Sequence, residues 1–149
     1  MWWQIWQSNS MKNLQVTYSF KIRFSEIDAM RVVWHGAYAK YFEDAREAFG
    51  SAYGLGYEQI VGNGYYVPIV DLTFQYRKPL RYGMTPVMTV TYCPTAAAKI
   101  VFDYEIRECE GGDLIASGHS VQVFMDLDYQ LVLLTPPFYE RWKAEHVEE

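Results

Sequence analysis

From Tyr38 to Ala52 the apolar residues Tyr38, Tyr41, Phe42, Ala45, Ala48, Phe49 and Ala52 recur three and four positions apart, which is the rhythm of one face of an α-helix. Lys40, Glu43, Asp44, Arg46 and Glu47 fill the opposite face. Gly54 follows, a residue that tolerates the left-handed conformation in which helices commonly stop. Elsewhere the period is two. Val16, Tyr18, Phe20, Ile22 and Phe24 alternate with Thr17, Ser19, Lys21 and Arg23, which predicts a strand over 16–24. A second strand is expected over 65–76, with Val70, Leu72, Phe74 and Tyr76 facing one way and Pro79, which has no ladder donor, closing it off. Three more follow at 87–93, 99–109 and 113–126, the last two joined by Gly111-Gly112.

The segment 54–64 reads as a glycine-rich connection through Gly56, Gly62 and Gly64. Residues 127–134 either extend the last strand or turn away from it. Pro136-Pro137 is a stop, with Pro137 suited to open a short terminal helix reaching about His146. Strands in quick succession mean an antiparallel meander, and a helix this apolar on one face must be covered. The expected fold is α+β: a curved antiparallel sheet of about five strands wrapped around one long central helix. Residues 1–13 are expected as an N-terminal extension, because 1–10 hold three of the five tryptophans and no charged side chain and Met11 offers a second start. Residues 14–149 then form one domain.

Composition narrows the class. A chain of 149 residues, half of them hydrophobic and 17% aromatic, has ample core for one domain and is not a disordered chain. A net charge of −5 argues against general affinity for nucleic acid or an anionic membrane, so any anion site must be local. Two cysteines, Cys93 and Cys109, cannot make a disulfide framework; the hairpin over 87–109 sets Cys93 opposite a residue near Ile100, far from Cys109. Free thiols fit a reducing cytosol, and the expected location is cytoplasmic. No apolar run approaches a membrane span.

The loop ahead of the long helix carries the chemistry. Asp28 and His35 flank Val32-Val33-Trp34 where the helix amides begin, and a carboxylate beside a helix N-terminus is either a turn residue or a base. His35 taken alone is a structural histidine. Glu43 and Arg46, three apart on the helix, read as a surface pair. His119 lies among inward-patterned strand residues and His146 near the tail, neither with a partner the pattern names. Three histidines so scattered make no metal site. Arg77, Lys78 and Arg81 form the densest basic cluster, which as a bare pattern is a solvated strand end.

The stretch D-A-x-x-V-V-x-H-x-x-Y-x-x-Y-x-E-x-A-R from Asp28 to Arg46, with Y-x-x-P-L-R at Tyr76 to Arg81 and the strand ending at Asp126, resembles the hotdog-fold acyl-CoA thioesterases of the 4-hydroxybenzoyl-CoA thioesterase type. It is similar also to the short bacterial acyl-CoA hydrolases associated with the Tol-Pal system. This chain departs from them in having Glu26-Ile27-Asp28 where Asp-Thr-Asp is common, and Arg31 where glycine is common. The resemblance implies a hotdog fold and hydrolysis of an acyl-CoA or acyl-carrier-protein thioester without a cofactor. It implies Asp28 as nucleophile or general base, the Trp34 amide as oxyanion donor and His35 as an orienting residue. Arg77, Lys78 and Arg81 then become contacts to the phosphates of coenzyme A. A homodimer or homotetramer with the active site between subunits is implied as well. A non-catalytic acyl-thioester binder, or a hydratase or dehydratase on the same fold, stands as the alternative.

Overall fold

The computed structural model describes residues 14–147, so the expected extension over 1–13 lies outside the described residues apart from its boundary. Among the described residues seven strands form one sheet: β1 (Gln15–Ser19), β2 (Tyr65–Tyr66), β3 (Ile69–Tyr76), β4 (Val87–Tyr92), β5 (Lys99–Arg107), β6 (Leu114–Asp126) and β7 (Leu131–Val132). The helices are α1 (Ala37–Tyr53), α2 (Tyr57–Gly62) and α3 (Pro137–His146). Strands β1, β4, β5 and β6 lie side by side in that order, with β3 beyond β6, and every pairing is antiparallel. β1 and β3 are therefore the edges.

The period-two pattern explains which face is which. Met88, Val90 and Tyr92 of β4, and Ile100, Phe102, Tyr104 and Ile106 of β5, are buried against α1, while Asp103 and Glu105 point away. From α1 the buried side chains are Ala37, Tyr38, Tyr41, Phe42, Ala45 and Phe49. Phe42 stacks on Tyr104 with ring centroids 4.1 Å apart, and on Phe74 at 5.0 Å. It can lie flat on the sheet because Gly118 is beneath it, where a Cβ would come within 2.1 Å of its ring. The end of α1 is as expected: Gly54 is left-handed at φ 71°. The expected face runs one turn too far, since Ala52 is exposed and Gly50 is buried instead. A Cβ on Gly50 would sit 2.5 Å from the Cα of Gly56, so this close crossing admits no side chain.

Several boundaries differ from the expected ones for identifiable reasons. The first strand stops at Ser19 because the Arg23 N–H donates to the Glu26 carboxylate (2.8 Å), which draws Phe24–Glu26 into a 3₁₀ turn and leaves Phe24 exposed. The second is split, with Val67-Pro68 between β2 and β3. An irregularity in the β3–β6 register between Ile69 and Asp71 turns Val70 outward. The glycine-rich connection contains α2, whose first N–H is satisfied by the Gln59 side chain reaching back to Gly56 N (2.9 Å). Residues 127–134 turn back at Asp126–Tyr129 into β7, which pairs with the end of β6. α3 has the expected bounds, with Pro137 in its first turn. Among the described residues no helix is long and apolar enough to cross a membrane, and both cysteines are free.

Candidate active site

The segment 26–36, just before α1, forms a small antiparallel loop. Ile27 bridges Val33; the Trp34 N–H donates to the Glu26 carbonyl (2.8 Å) and the Asp28 N–H to the Val32 carbonyl (2.9 Å). Its tip turns through Arg31, which is left-handed at φ 64° and so occupies a conformation that glycine adopts at least cost. The Val33 N–H donates to the Leu80 carbonyl (2.8 Å), tying the loop to the segment after β3.

Asp28 is held by its own loop. Its Oδ1 accepts the Met30 N–H at 2.8 Å, with the Val32 N–H further off at 3.4 Å, and its Oδ2 has no hydrogen-bond partner among the described residues. The turn-residue reading and the base reading are thus compatible: one oxygen orients the carboxylate and the other is unspent. At the start of α1, Gly36 occupies the cap position with no side-chain hydrogen bond. The Ala37 N–H donates to the Trp34 carbonyl, whereas those of His35 and Gly36 meet no acceptor among the described residues. Helix-start amides of this kind are ready donors to a developing negative charge.

The Trp34 N–H, the expected oxyanion donor, donates to the Glu26 carbonyl inside the loop ladder, while the next two amides, those of His35 and Gly36, meet no acceptor among the described residues. The Trp34 indole instead folds over Gly36, where a Cβ would lie 2.4 Å from its ring, and lies 5.3 Å from the His35 ring. The imidazole of His35 is exposed, and its carbonyl accepts the Tyr76 hydroxyl (2.9 Å). Tyr38 packs edge-on against Tyr76 at 4.9 Å, and burial pushes its hydroxyl up to about 12. Phe24, Met30, Trp34 and Tyr82 give the site an exposed apolar rim.

The basic cluster lies next to this loop through the Val33–Leu80 bond, but its members differ. Lys78 is paired with Asp113 at 2.6 Å, both exposed; the hydrogen bond raises the lysine above its ordinary value and lowers the aspartate below its own. Arg77 and Arg81 are exposed and have no carboxylate within ion-pair distance among the described residues.

Other candidates resolve differently from the pattern. His119 does not point inward: Gly118 and Ser120 do, and His119 faces outward, with Nδ1 2.6 Å from the Asp103 carboxylate across the β5–β6 ladder. Asp103 also accepts from the Cys93 thiol (3.3 Å), which burial pushes up to about 11. His146 stacks on Trp142 at 4.9 Å. Among the described residues no group of three or more His, Cys, Asp or Glu could hold a metal ion. Glu26 is buried at the base of the loop and accepts the Tyr41 hydroxyl (2.9 Å); desolvation, then this bond, raises Tyr41.

Two features escape the one-dimensional pattern. Arg46 makes no surface pair with Glu43; it turns inward and donates to the Tyr104 hydroxyl (3.1 Å), which is bonded in turn to Ser120 Oγ (2.7 Å). Beside it is a cavity of about 540 Å³ between α1, α2 and the β2–β3 connection, lined mainly by apolar side chains such as Leu55, Ile60, Val67, Ile69 and Phe102. Only the packing of distant segments creates it.

A curved antiparallel sheet around a long helix, with a carboxylate-bearing loop at the helix start, defines the hotdog class. The chain belongs to the Thioesterase-like superfamily, whose family model matches residues 22–142. It is 30% identical over 106 residues to the YneP protein of Bacillus subtilis (strain 168), named as a candidate acyl-CoA thioesterase, covering 71% of this chain and 76% of that one. It is also 30% identical over 112 residues to the chloroplastic acyl-acyl carrier protein thioesterase ATL3 of Arabidopsis thaliana, covering 75% of this chain but spanning only 59% of the plant protein. Among solved structures, the DHNA-CoA thioesterase of Staphylococcus aureus superposes with a TM-score of 0.78 at 25% identity, covering 88% of this chain and 89% of that one.

Proposed function

We propose that the protein hydrolyses an acyl thioester of coenzyme A, or of an acyl carrier protein, to the free acid and thiol. The observation that carries this is the Asp28 carboxylate, fixed through one oxygen and without a partner at the other among the described residues, in the loop that leads into a helix start where the His35 and Gly36 amides are likewise unmet. As general base, Asp28 takes a proton from water while the oxygen attacks the thioester carbonyl; as nucleophile, it attacks the carbonyl itself, and water cleaves the resulting anhydride. Either way negative charge collects on the carbonyl oxygen, which the His35 and Gly36 N–H groups receive. In the first route the tetrahedral adduct then expels the thiolate, which takes the proton held by Asp28; in the second the C–S bond breaks as the anhydride forms, and the proton released by the hydrolytic water goes to the thiolate. Arg77 and Arg81 hold the phosphates of the carrier, and Lys78 joins them by exchanging Asp113 for phosphate.

The working unit in this reading contains two copies. Among the described residues β3, eight residues long, pairs only with β6 and leaves its other edge open, and exposed edges favour pairing with another strand. Antiparallel pairing of two β3 edges about a two-fold axis reverses the strand direction, so Ile69 at the cavity of one copy approaches Tyr76 and the His35 loop of the other. A hydrolysis screen over short, long and aromatic acyl thioesters of coenzyme A, with detection of the released thiol, tests the reading. Release of thiol that Asp28→Asn abolishes supports it. Tight binding of acyl-CoA with no turnover by the wild-type protein makes the chain a binder instead.

A further inference from the structure

We infer that Glu26 is a positioning residue for the hydrolysis: its carboxylate sets the register between the arm of the loop that carries Asp28 and the helix start that carries the His35 and Gly36 amides. The inference rests on the thioesterase reading and adds to it a residue that acts through Tyr41 and the loop backbone.

Glu26 is tied at both its ends. Its carbonyl accepts the N–H of Trp34, the residue just before the two unmet amides (2.8 Å), and its Oε1 accepts both the Tyr41 hydroxyl (2.9 Å) and the Arg23 N–H (2.8 Å). Asp28 follows two positions later on the same arm. One residue therefore joins that arm to the returning arm through its backbone, and to α1, one turn in, through its side chain. Tyr41 is a firm anchor, buried with its ring centroid 4.8 Å from that of Phe20 and 5.8 Å from that of Tyr38. Burial, and then the bond to Glu26, raise its hydroxyl, which stays protonated and keeps donating.

The choice of residue is costly as structure alone. Glu26 is 8% exposed, yet among the described residues no cation lies within ion-pair distance of it. A buried carboxylate without a counter-ion is less favourable than an apolar side chain of similar size. Lys21, Arg23 and Lys40 line the same cavity of about 490 Å³ as Glu26, and their charges lower that cost without holding the carboxylate in place. What the carboxylate supplies is register, because apolar contact between a loop and a helix tolerates sliding, whereas two hydrogen bonds converging on one carboxylate oxygen do not. Register matters here because a shift of about 1 Å between reacting groups is enough to cost about 100-fold in rate.

The test measures kcat and KM separately, for one acyl-CoA that the wild-type protein hydrolyses, in Glu26→Leu, Glu26→Gln and Tyr41→Phe, each assayed well below its own Tm. Glu26→Leu should lower kcat about 10- to 100-fold while KM moves by less than about three-fold, since the tie acts on the reacting groups and not on substrate binding. Glu26→Gln keeps an acceptor at the same reach and should recover most of that loss. Tyr41→Phe deletes one hydroxyl from unchanged packing, so it decides the matter even where Glu26→Leu fails to fold, and it should lower kcat about 3- to 10-fold, the worth of one hydrogen bond. A purely structural role lowers Tm but leaves kcat in place below the melting range. The inference is overturned, and the thioesterase reading left standing, by a kcat for Tyr41→Phe within about two-fold of wild type, by a loss carried in KM, or by a loss in Glu26→Gln equal to that in Glu26→Leu. Failure of the wild-type protein to hydrolyse any thioester of either carrier overturns both.

Discussion

The two ends of α1 are built on opposite plans. At its C-terminal end the helix is closed: Gly54 turns left-handed, Gly50 and Gly56 cross in contact, and the Trp142 indole N–H donates to the Tyr53 carbonyl (2.7 Å). At its N-terminal end, among the described residues, no side chain caps the helix, the His35 and Gly36 amides have no acceptor, and the Asp28 carboxylate of the preceding loop is fixed with one oxygen unpartnered. Helix ends normally satisfy their orphan groups, and the closed end does so. An end that leaves donors open beside a loop tied by several of its own backbone bonds differs in kind from the closed end, and that contrast can be broken from either side.

The largest effect should come from the open end. Asp28→Asn keeps the shape and the loop acceptor but removes the charge, and kcat should fall about 10²- to 10⁴-fold, equivalent to about 3–5 kcal/mol of barrier, with folding nearly unchanged. Single-turnover thiol release together with thermal unfolding separates these; turnover within a few-fold of wild type would reduce Asp28 to a loop residue. At the closed end, Gly50→Ala forces a methyl into the Gly56 backbone and should cost about 1–3 kcal/mol, lowering Tm by about 3–10 °C. An unchanged Tm would mean that the crossing is looser than its geometry indicates.

Arg31→Gly should act in the other direction. Relief of the left-handed arginine, offset by glycine's greater freedom in the unfolded chain, should stabilise the protein by about 0.5–1 kcal/mol, measurable by urea unfolding. A loss of stability would show that the Arg31 side chain contributes contacts that outweigh its backbone cost.

The smallest effect is nil at neutral pH. Burial pushes Tyr18 and Tyr38 up to about 12 from 10.0, and the Cys93 thiol up to about 11 from 9.0. Below the unfolded values both states hold their protons, so stability is level. Above them the unfolded chain releases protons first and stability falls as pH rises toward the folded values. Unfolding free energy should therefore be flat to about pH 9 and decline from there to about pH 12, and Cys93→Ala should delay the onset.

Much of this was legible in the chain. α1 follows from a 3.6 period, α3 from Pro137 as a helix opener and β4–β6 from strand patterns between short turns, and the loop motif marks the region of Asp28 and His35. The misses have local physical causes. The expected first strand runs past Ser19 because the alternation continues through Phe24, where the Arg23 N–H bond to Glu26 instead closes a 3₁₀ turn. Six residues of α2 among glycines leave too little pattern to read. That the Trp34 N–H is taken by the Glu26 carbonyl depends on which carbonyl faces which amide once the loop closes, and residue types carry no trace of that. Arg46 looked like a surface cation because its helical position is polar, and only the Tyr104–Ser120 pair on the sheet explains its inward turn.

The bond from Trp142 to Tyr53 also couples two elements that are 84 residues apart at their nearest ends. α3 is clamped to the sheet by Tyr139, whose hydroxyl donates to the Lys99 carbonyl (2.9 Å) and shares a short hydrogen bond with Tyr92. The final turn of α1 therefore loses an anchor whenever α3 lifts away. In amide hydrogen exchange the last turn of α1 and the body of α3 should open as one cooperative unit, with protection distinct from that of the first turns of α1. Proteolytic nicking between β7 and α3 would release that same unit and leave the Asp28 loop, at the other end of the helix, still folded.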